Sequence, residues 1–298
     1  MSHHIVHVLS HGARLLLERQ QLVCINSEGI KKQIPIEDLR AVVIAARGIS
    51  FSGEALAAIL DADAVVLHSN ARYKPCGLSV PLPRVVSHAA FLGQTNSRES
   101  FNSKLWRKIL LRKIANQAAC LRLLGAPSVY LENAVRGHQL HEGNCAKHYW
   151  RKFFAKVGWD GLRRREREPE ASPNNLLNYG YAVLSALCHR SLVVHGLQPA
   201  IGLHHRSRYK AIPLVHDFIE PFRAFVDWIM ALHLRSNRHD MDAWIKTVGQ
   251  NLRDHRIIHG GSSIKLMDAI DKAASSLAQA YAKRNPAELW LPSLVSPL

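Results

Sequence analysis

Short apolar runs separated by polar turns fill residues 1–82: IVHVL, ARLLLER, QLVCIN, IPIEDL, AVVIAA and AVVLHS, with the turn SEGIKK among them. Runs this short and rich in Val, Ile and Leu predict strands. Between the last two, SFSGEALAAILDAD predicts one short helix, with Ser50 or Ser52 as N-cap and Asp63 past its end. The expectation for 1–82 is therefore a small β-rich domain with a single helix. The stretch VPLPRVV follows, and Pro81 and Pro83 cannot sit in a central strand, so 83–100 is expected to be a linker.

From Phe101 the period changes to that of helices. FNSKLWRKILLRKIANQAACLRLL puts Leu105 and Ile109 on a core stripe and Lys104, Lys108 and Arg112 at i, i+4, i+8 on another face. A second helix spans roughly Leu140 to Val157. After the basic loop GLRRREREPEASPNN, the segment LLNYGYAVLSALCHRSLVVHG is apolar nearly all round, which predicts a buried helix stopped by Gly196. VHDFIEPFRAFVDWIM is again helical, and Leu266, Ile270, Ala273, Leu277 and Tyr281 mark a closing helix. The tail NPAELWLPSLVSPL either lies loose or docks as an extended segment. The fold class that follows is α+β, with the β-rich domain leading a larger all-α domain over 101–298 that carries the chemistry.

Charge narrows the function. Thirty-nine Lys and Arg against 23 Asp and Glu leave +16, a surplus of the sign that attracts polyanions by releasing counterions. Nucleic acid is the leading partner class. A membrane surface ranks well behind, because no apolar run is long enough to span a bilayer and the basic residues are spread along the chain. Five cysteines without a CxxC pair argue against a disulfide framework or a thiolate zinc finger, and a reducing cytoplasm fits. The N-terminus lacks a basic region before its histidine-interrupted apolar stretch, so no signal peptide is expected.

Three segments carry candidate chemistry. In the helix around DFIEPFR, Asp217, Glu220 and Asp227 border the apolar stripe of Val215, Phe218, Ile219, Phe222 and Phe225. Carboxylates one turn apart can converge on a Mg²⁺ or Mn²⁺ ion; the plainer alternative pairs Glu220 with Arg223. In HEGNCAKHYW, Glu142 heads a largely apolar face and needs a cationic partner there. His141, Cys145 and His148, at i, i+4, i+7, offer a weaker zinc alternative, since no fourth ligand is evident and Cys145 stands where HExxH needs its second His. The third segment, GLHHRSRYK, supplies paired histidines amid Arg206, Arg208 and Lys210. Oxygen ligands with one imidazole favour Mg²⁺ or Mn²⁺ over Zn²⁺, which points to metal-dependent phosphodiester chemistry on DNA or RNA.

EGNCAKHYW, RRRERE with PNNLLNYGYAVL, and GLHHRSRYKAIPLVHDFIEPFR together resemble, in order and spacing, the CRISPR-associated integrases of spacer acquisition. NYGYAVL and DFIEPFR look most like those of type II systems, which use a single large effector nuclease. The resemblance implies a homodimer whose helical domain binds a divalent metal. Two such dimers are bridged by a small companion protein, and the assembly joins 3′-hydroxyls of short duplexes to the CRISPR repeat. Run backwards, the same chemistry nicks branched DNA. Carried onto this chain, it implies Glu142, His205 and Glu220 as metal-binding catalytic residues. Asp217, Asn178, Tyr179 and His204 stand behind them. The basic surplus adds Lys104, Lys108, Arg112, Arg163, Arg164, Arg165, Arg206, Arg208 and Lys210 as candidate DNA contacts. His216 stands where an accessory acid is often found. The competing readings are a stand-alone metal-dependent nuclease and a non-catalytic DNA-binding protein.

Overall fold

The computed structural model describes residues 4–70, 75–82, 87–159, 173–204, 212–237, 240–259 and 261–295. Its N-terminal part contains β1 (His4–Val8), β2 (Arg14–Glu18), β3 (Gln21–Ile25), β4 (Lys31–Pro35), β5 (Leu39–Ile44), β6 (Ser50–Phe51), α1 (Gly53–Asp61), β7 (Val65–Ser69) and β8 (Pro75–Ser79). Helices then dominate: α2 (His88–Thr95), α3 (Glu99–Leu123), α4 (Val129–Arg136), α5 (Glu142–Lys156), α6 (Pro173–Val194), α7 (Pro213–Phe218), α8 (Arg223–Asn237), α9 (Met241–Asp254) and α10 (Leu266–Ala282). One hairpin, β9 (Arg256–His259) with β10 (Ser262–Lys265), lies between α9 and α10. The expected β-rich front and helical body are both present.

The strands form two four-stranded sheets, ordered β1-β5-β7-β8 and β4-β3-β2-β6. In the first, β1, β5 and β7 run parallel and β8 closes the edge antiparallel. The middle strands β5 and β7 are largely apolar on both faces because both are covered. Val8, Val42, Ile44 and Val66 join Leu15, Leu22 and Ile59 in a small core. Ile5, Ala41, Val43, Val65 and Leu67 point the other way, into the core shared with the helices. The IPIEDL run is a strand only to Pro35; a 3-10 turn over Ile36–Asp38 separates it from β5. Ser52 is the N-cap of α1, accepting from the Ala55 amide at 3.2 Å. The segment expected as linker contains α2, which packs against α10.

α6 is the buried centre of the helical body, as its apolar sequence requires, and Gly196 follows it at φ +75°. A Cβ on Gly180 would lie 2.6 Å from Val226 Cγ1 and 3.1 Å from Trp244 Cζ2, so the glycine of NYGY sets how closely α8 and α9 approach α6. Arg190, buried in α6, binds Asp271 of α10 at 2.6 Å and donates to the Asp63 carbonyl beyond α1, joining both halves of the chain.

The tail docks. Lys108 Nζ donates to the carbonyls of Pro286 (2.8 Å), Ala287 (3.2 Å) and Leu289 (2.8 Å), and Arg112 donates to Ser293. This corrects the reading of Lys104, Lys108 and Arg112 as one open cationic face. Lys104 is exposed, whereas Lys108 and Arg112 serve the chain's own backbone and tail.

Candidate active site

The helix expected through DFIEPFR is broken at Pro221, which has no amide hydrogen to donate and crowds the preceding turn. A 3-10 turn over Glu220–Phe222 joins α7 to α8. Asp217 and Glu220, on either side of the junction between α7 and that turn, have different partners. Asp217, fully buried, turns back and accepts from the amides of Leu203 (2.7 Å) and His204 (2.9 Å). Glu220 faces α3 instead. The carboxylates that meet are thus Glu142 and Glu220, not the neighbours in sequence.

They meet on Lys113. Its Nζ lies 2.6 Å from Glu142 Oε1 and 2.7 Å from Glu220 Oε2, and its side chain is only 12% exposed. Burial acts to lower the Lys113 pKa, but the charges and hydrogen bonds of Glu220 and Glu142 outweigh it and raise the value above the ordinary one. Glu220 also forms an ion pair with Arg223, Oε1 to Nε at 3.1 Å, so the plain Glu220–Arg223 pair exists alongside the convergence. Arg223 lies over the Tyr181 ring at 4.7 Å. Behind it, buried Asp227 accepts from the hydroxyls of Tyr149 (2.6 Å) and Tyr181, tying α5 and α6 to α8. Burial, followed by the Asp227 charge, drives the Tyr149 pKa well up, which keeps its hydroxyl a donor.

The loop leading to His205 is held on two sides. Asp217 takes the amides named above. From α2, buried Gln94 donates to the carbonyls of Gln198 and Ile201, both at 3.0 Å, and accepts from the Gln198 amide at 2.9 Å. The His204 ring stacks on Trp106 of α3, with centroids 4.5 Å apart and planes at 3°. α3 therefore presents Trp106 and Lys113, at i and i+7, to the histidine loop and the carboxylates.

His205, Arg206, Arg208 and Lys210, like Arg163, Arg164 and Arg165, lie outside the described residues. Tyr179, expected behind the carboxylates, pairs its hydroxyl with His7 Nδ1 of β1 at 3.0 Å, and the ring beside Arg223 is Tyr181. Asn178 is half-buried on α6. Among the described residues no three His, Cys, Asp or Glu side chains gather as a metal cluster. The zinc alternative gains nothing, since Cys145 is buried, His141 is exposed and His148 stacks on Tyr130 at 4.6 Å. Two carboxylates already converging on one cationic atom do fit a hard divalent ion, with His205 as the imidazole the sequence would add. Lys113, Gln94, Trp106 and Asn116 were not singled out by sequence, because nothing in a single helix or strand period says which distant segment a side chain will meet.

The chain is similar to known proteins over nearly its whole length. A family model described as CRISPR associated protein Cas1 matches residues 6–253. A CRISPR-associated endonuclease Cas1 of Neisseria meningitidis serogroup C is 28% identical over 97% of this chain and 95% of its own. A second, from Pyrobaculum aerophilum, is 31% identical over 75% of this chain and 80% of its own. Among solved structures, a casposase bound to integration product superposes with TM-score 0.78 at 18% identity, covering 96% of this chain and 92% of that one. A Cas6-RT-Cas1–Cas2 complex superposes with TM-score 0.76 at 16% identity, covering 99% of this chain and 36% of that one. The two-part architecture is thus shared with these structures, and by the family model this chain belongs to the CRISPR-associated Cas1 family.

Proposed function

We propose that this chain is a metal-dependent DNA integrase and endonuclease of CRISPR adaptation. It joins the 3′-hydroxyl ends of short foreign duplexes to the repeat by transesterification, and it nicks branched DNA. The observation that carries this reading is the convergence of Glu142 and Glu220 on one cationic position, at 2.6 and 2.7 Å. Glu142, Glu220 and His205 would hold a Mg²⁺ or Mn²⁺ ion. When bound, such an ion supplies charge neutralisation at the scissile phosphate and a lowered pKa for the attacking hydroxyl.

The chain's own groups prepare that chemistry. Arg223 fixes the second oxygen of Glu220, so the first is aimed at α3. Asp217 and Gln94 hold the backbone from Gln198 to His204, which precedes His205 in sequence. The +16 charge favours phosphate backbones, and Arg163, Arg164, Arg165, Arg206, Arg208 and Lys210 are basic groups proposed to meet them. Structural relatives that include a casposase bound to integration product and a Cas1–Cas2 complex favour a DNA substrate and a small companion protein. We place the protein as a homodimer in the cytoplasm; no helix among the described residues is long and apolar enough to cross a membrane. We assign it to a type II system on NYGYAVL and DFIEPFR.

The test supplies labelled duplexes with 3′-hydroxyl ends, a repeat-bearing plasmid, the companion protein and Mg²⁺ or Mn²⁺. Covalent joining is expected, and Glu220→Gln should lower it about 100-fold or more while DNA affinity stays within about twofold, the scale at which removing transition-state charge stabilisation acts. Cleavage without joining under either metal would replace this reading with a stand-alone nuclease. Unchanged activity in Glu220→Gln would remove the site altogether.

A further inference from the structure

Lys113, its side chain only 12% exposed, comes from a different helix than either acid and lies at hydrogen-bond distance from both. Its place is prepared by the same helix face. Trp106, two turns earlier, packs on His204, and Asn116, three residues later, donates to the Pro221 carbonyl at 2.7 Å. Lys113 is therefore a built contact in the middle of the candidate site and not a surface lysine that happens to reach an acid.

A divalent ion bound by the same two oxygens would sit roughly 2.1 Å from each, in nearly the space the ammonium fills. Like charges that close in a half-buried site repel strongly, so one must yield. Resting on the metal-site reading above, we infer that Lys113 is a built-in competitor of the metal: its ammonium holds Glu142 and Glu220 together until a divalent cation displaces it from at least one of them. The lysine keeps two like-charged acids converged when no metal is bound, and it weakens metal affinity by the strength of the contacts that metal binding breaks.

Two measurements on the full chain test this. In the first, Mn²⁺ binding is followed by electron paramagnetic resonance for the parent, Lys113→Met, Lys113→Gln, Lys113→Arg, Glu142→Gln and Glu220→Gln. Lys113→Met and Lys113→Gln are expected to bind Mn²⁺ about tenfold tighter, equivalent to about 1.4 kcal/mol. Their unfolding midpoints should fall below the parent's without metal and approach it in saturating Mn²⁺, with Lys113→Arg close to the parent throughout. Equal or weaker binding in the neutral variants overturns the proposal. The second measurement needs no variant: acylation of Lys113 by acetic anhydride, read by mass spectrometry, should rise several-fold when Mg²⁺ is added to the parent, and an unchanged or lower yield overturns it. Mn²⁺ bound by the parent, lost in Glu142→Gln and Glu220→Gln but unchanged in Lys113→Met, defeats this inference alone. Mn²⁺ bound by none of the proteins defeats the metal-site reading and this inference with it.

Discussion

The side-chain amide of Asn116 donates to the carbonyl of Pro221 at 2.7 Å, immediately beyond Glu220 in sequence. The same buried side chain donates to Pro292 O at 3.1 Å and accepts from the Leu294 amide at 3.0 Å. One residue of α3 thus links the turn carrying Glu220 to the docked C-terminal segment, and the tail acts as a buttress for the site.

Asn116→Ala should therefore cost more than its small volume change. It leaves buried backbone groups of Pro221, Pro292 and Leu294 without this partner, and about 1–3 kcal/mol per unsatisfied group sets the scale. Urea denaturation should show a lowered midpoint. Removal of residues 289–298 should lower it further and reduce joining activity, although no proposed ligand lies in that segment. A truncated chain with parental stability and activity would contradict the buttress.

Asp217→Ala separates a positioning role from a metal-binding one. The two amides that Asp217 accepts belong to Leu203 and His204. Their hydrogen exchange should accelerate at least about tenfold, which corresponds to about 1.4 kcal/mol of lost local protection. Exchange elsewhere in α3 and α5 should change little. Unaltered protection at both amides would show that the loop is held by other contacts.

Lys104 and Lys108 should behave differently although they lie one helical turn apart. Lys108 has three backbone carbonyls of its own chain as acceptors, and burial pulls its pKa down. Lys108→Met should lower stability by about 1–3 kcal/mol and leave the salt dependence of DNA binding alone. Lys104 is exposed. If it contacts phosphate, Lys104→Ala should leave stability within about 0.5 kcal/mol and reduce the slope of log affinity against log salt by about 1.

Acid should weaken the fold through histidines as well as carboxylates. Burial lowers the pKa of His7 and of His255 from 6.5 to about 4. As pH falls through 6.5, the unfolded chain takes up these protons while the folded chain does not, so stability declines between pH 6.5 and 4. These two groups add no further loss below that window. Each contributes about 1.4 kcal/mol per pH unit within it. His7→Gln and His255→Gln should each flatten the decline of the urea midpoint between pH 6.5 and 4; an identical slope in both would show that other groups carry it.

Periodicity was a good guide where burial is set by neighbours in sequence. The Val-rich strands β5 and β7, the N-cap Ser52, the all-round apolar α6 and its stop at Gly196 each express a local pattern that backbone geometry turns into one shape. Glu142 at the head of an apolar face already required a cation, because a carboxylate there is costly without one. The identity of that cation was not legible. Lys113 looks like any basic residue of an amphipathic helix, and Lys108 and Arg112 looked more exposed than they are because the tail that covers them lies far along the chain.

What the sequence determined by itself is the order of elements, their apolar faces, the basic surplus and the residue types from which a phosphate-handling site could be made. Only the tertiary structure decided which acids share a cation. Asp217 accepts from the Leu203 and His204 amides, while Glu220, in the 3-10 turn that contains Pro221, reaches α3 and meets Glu142 on Lys113. Spacing along a helix constrains neighbours within about two turns. Contacts between α3, α5 and the turn before α8 depend instead on how three apolar faces pack, which no one segment specifies.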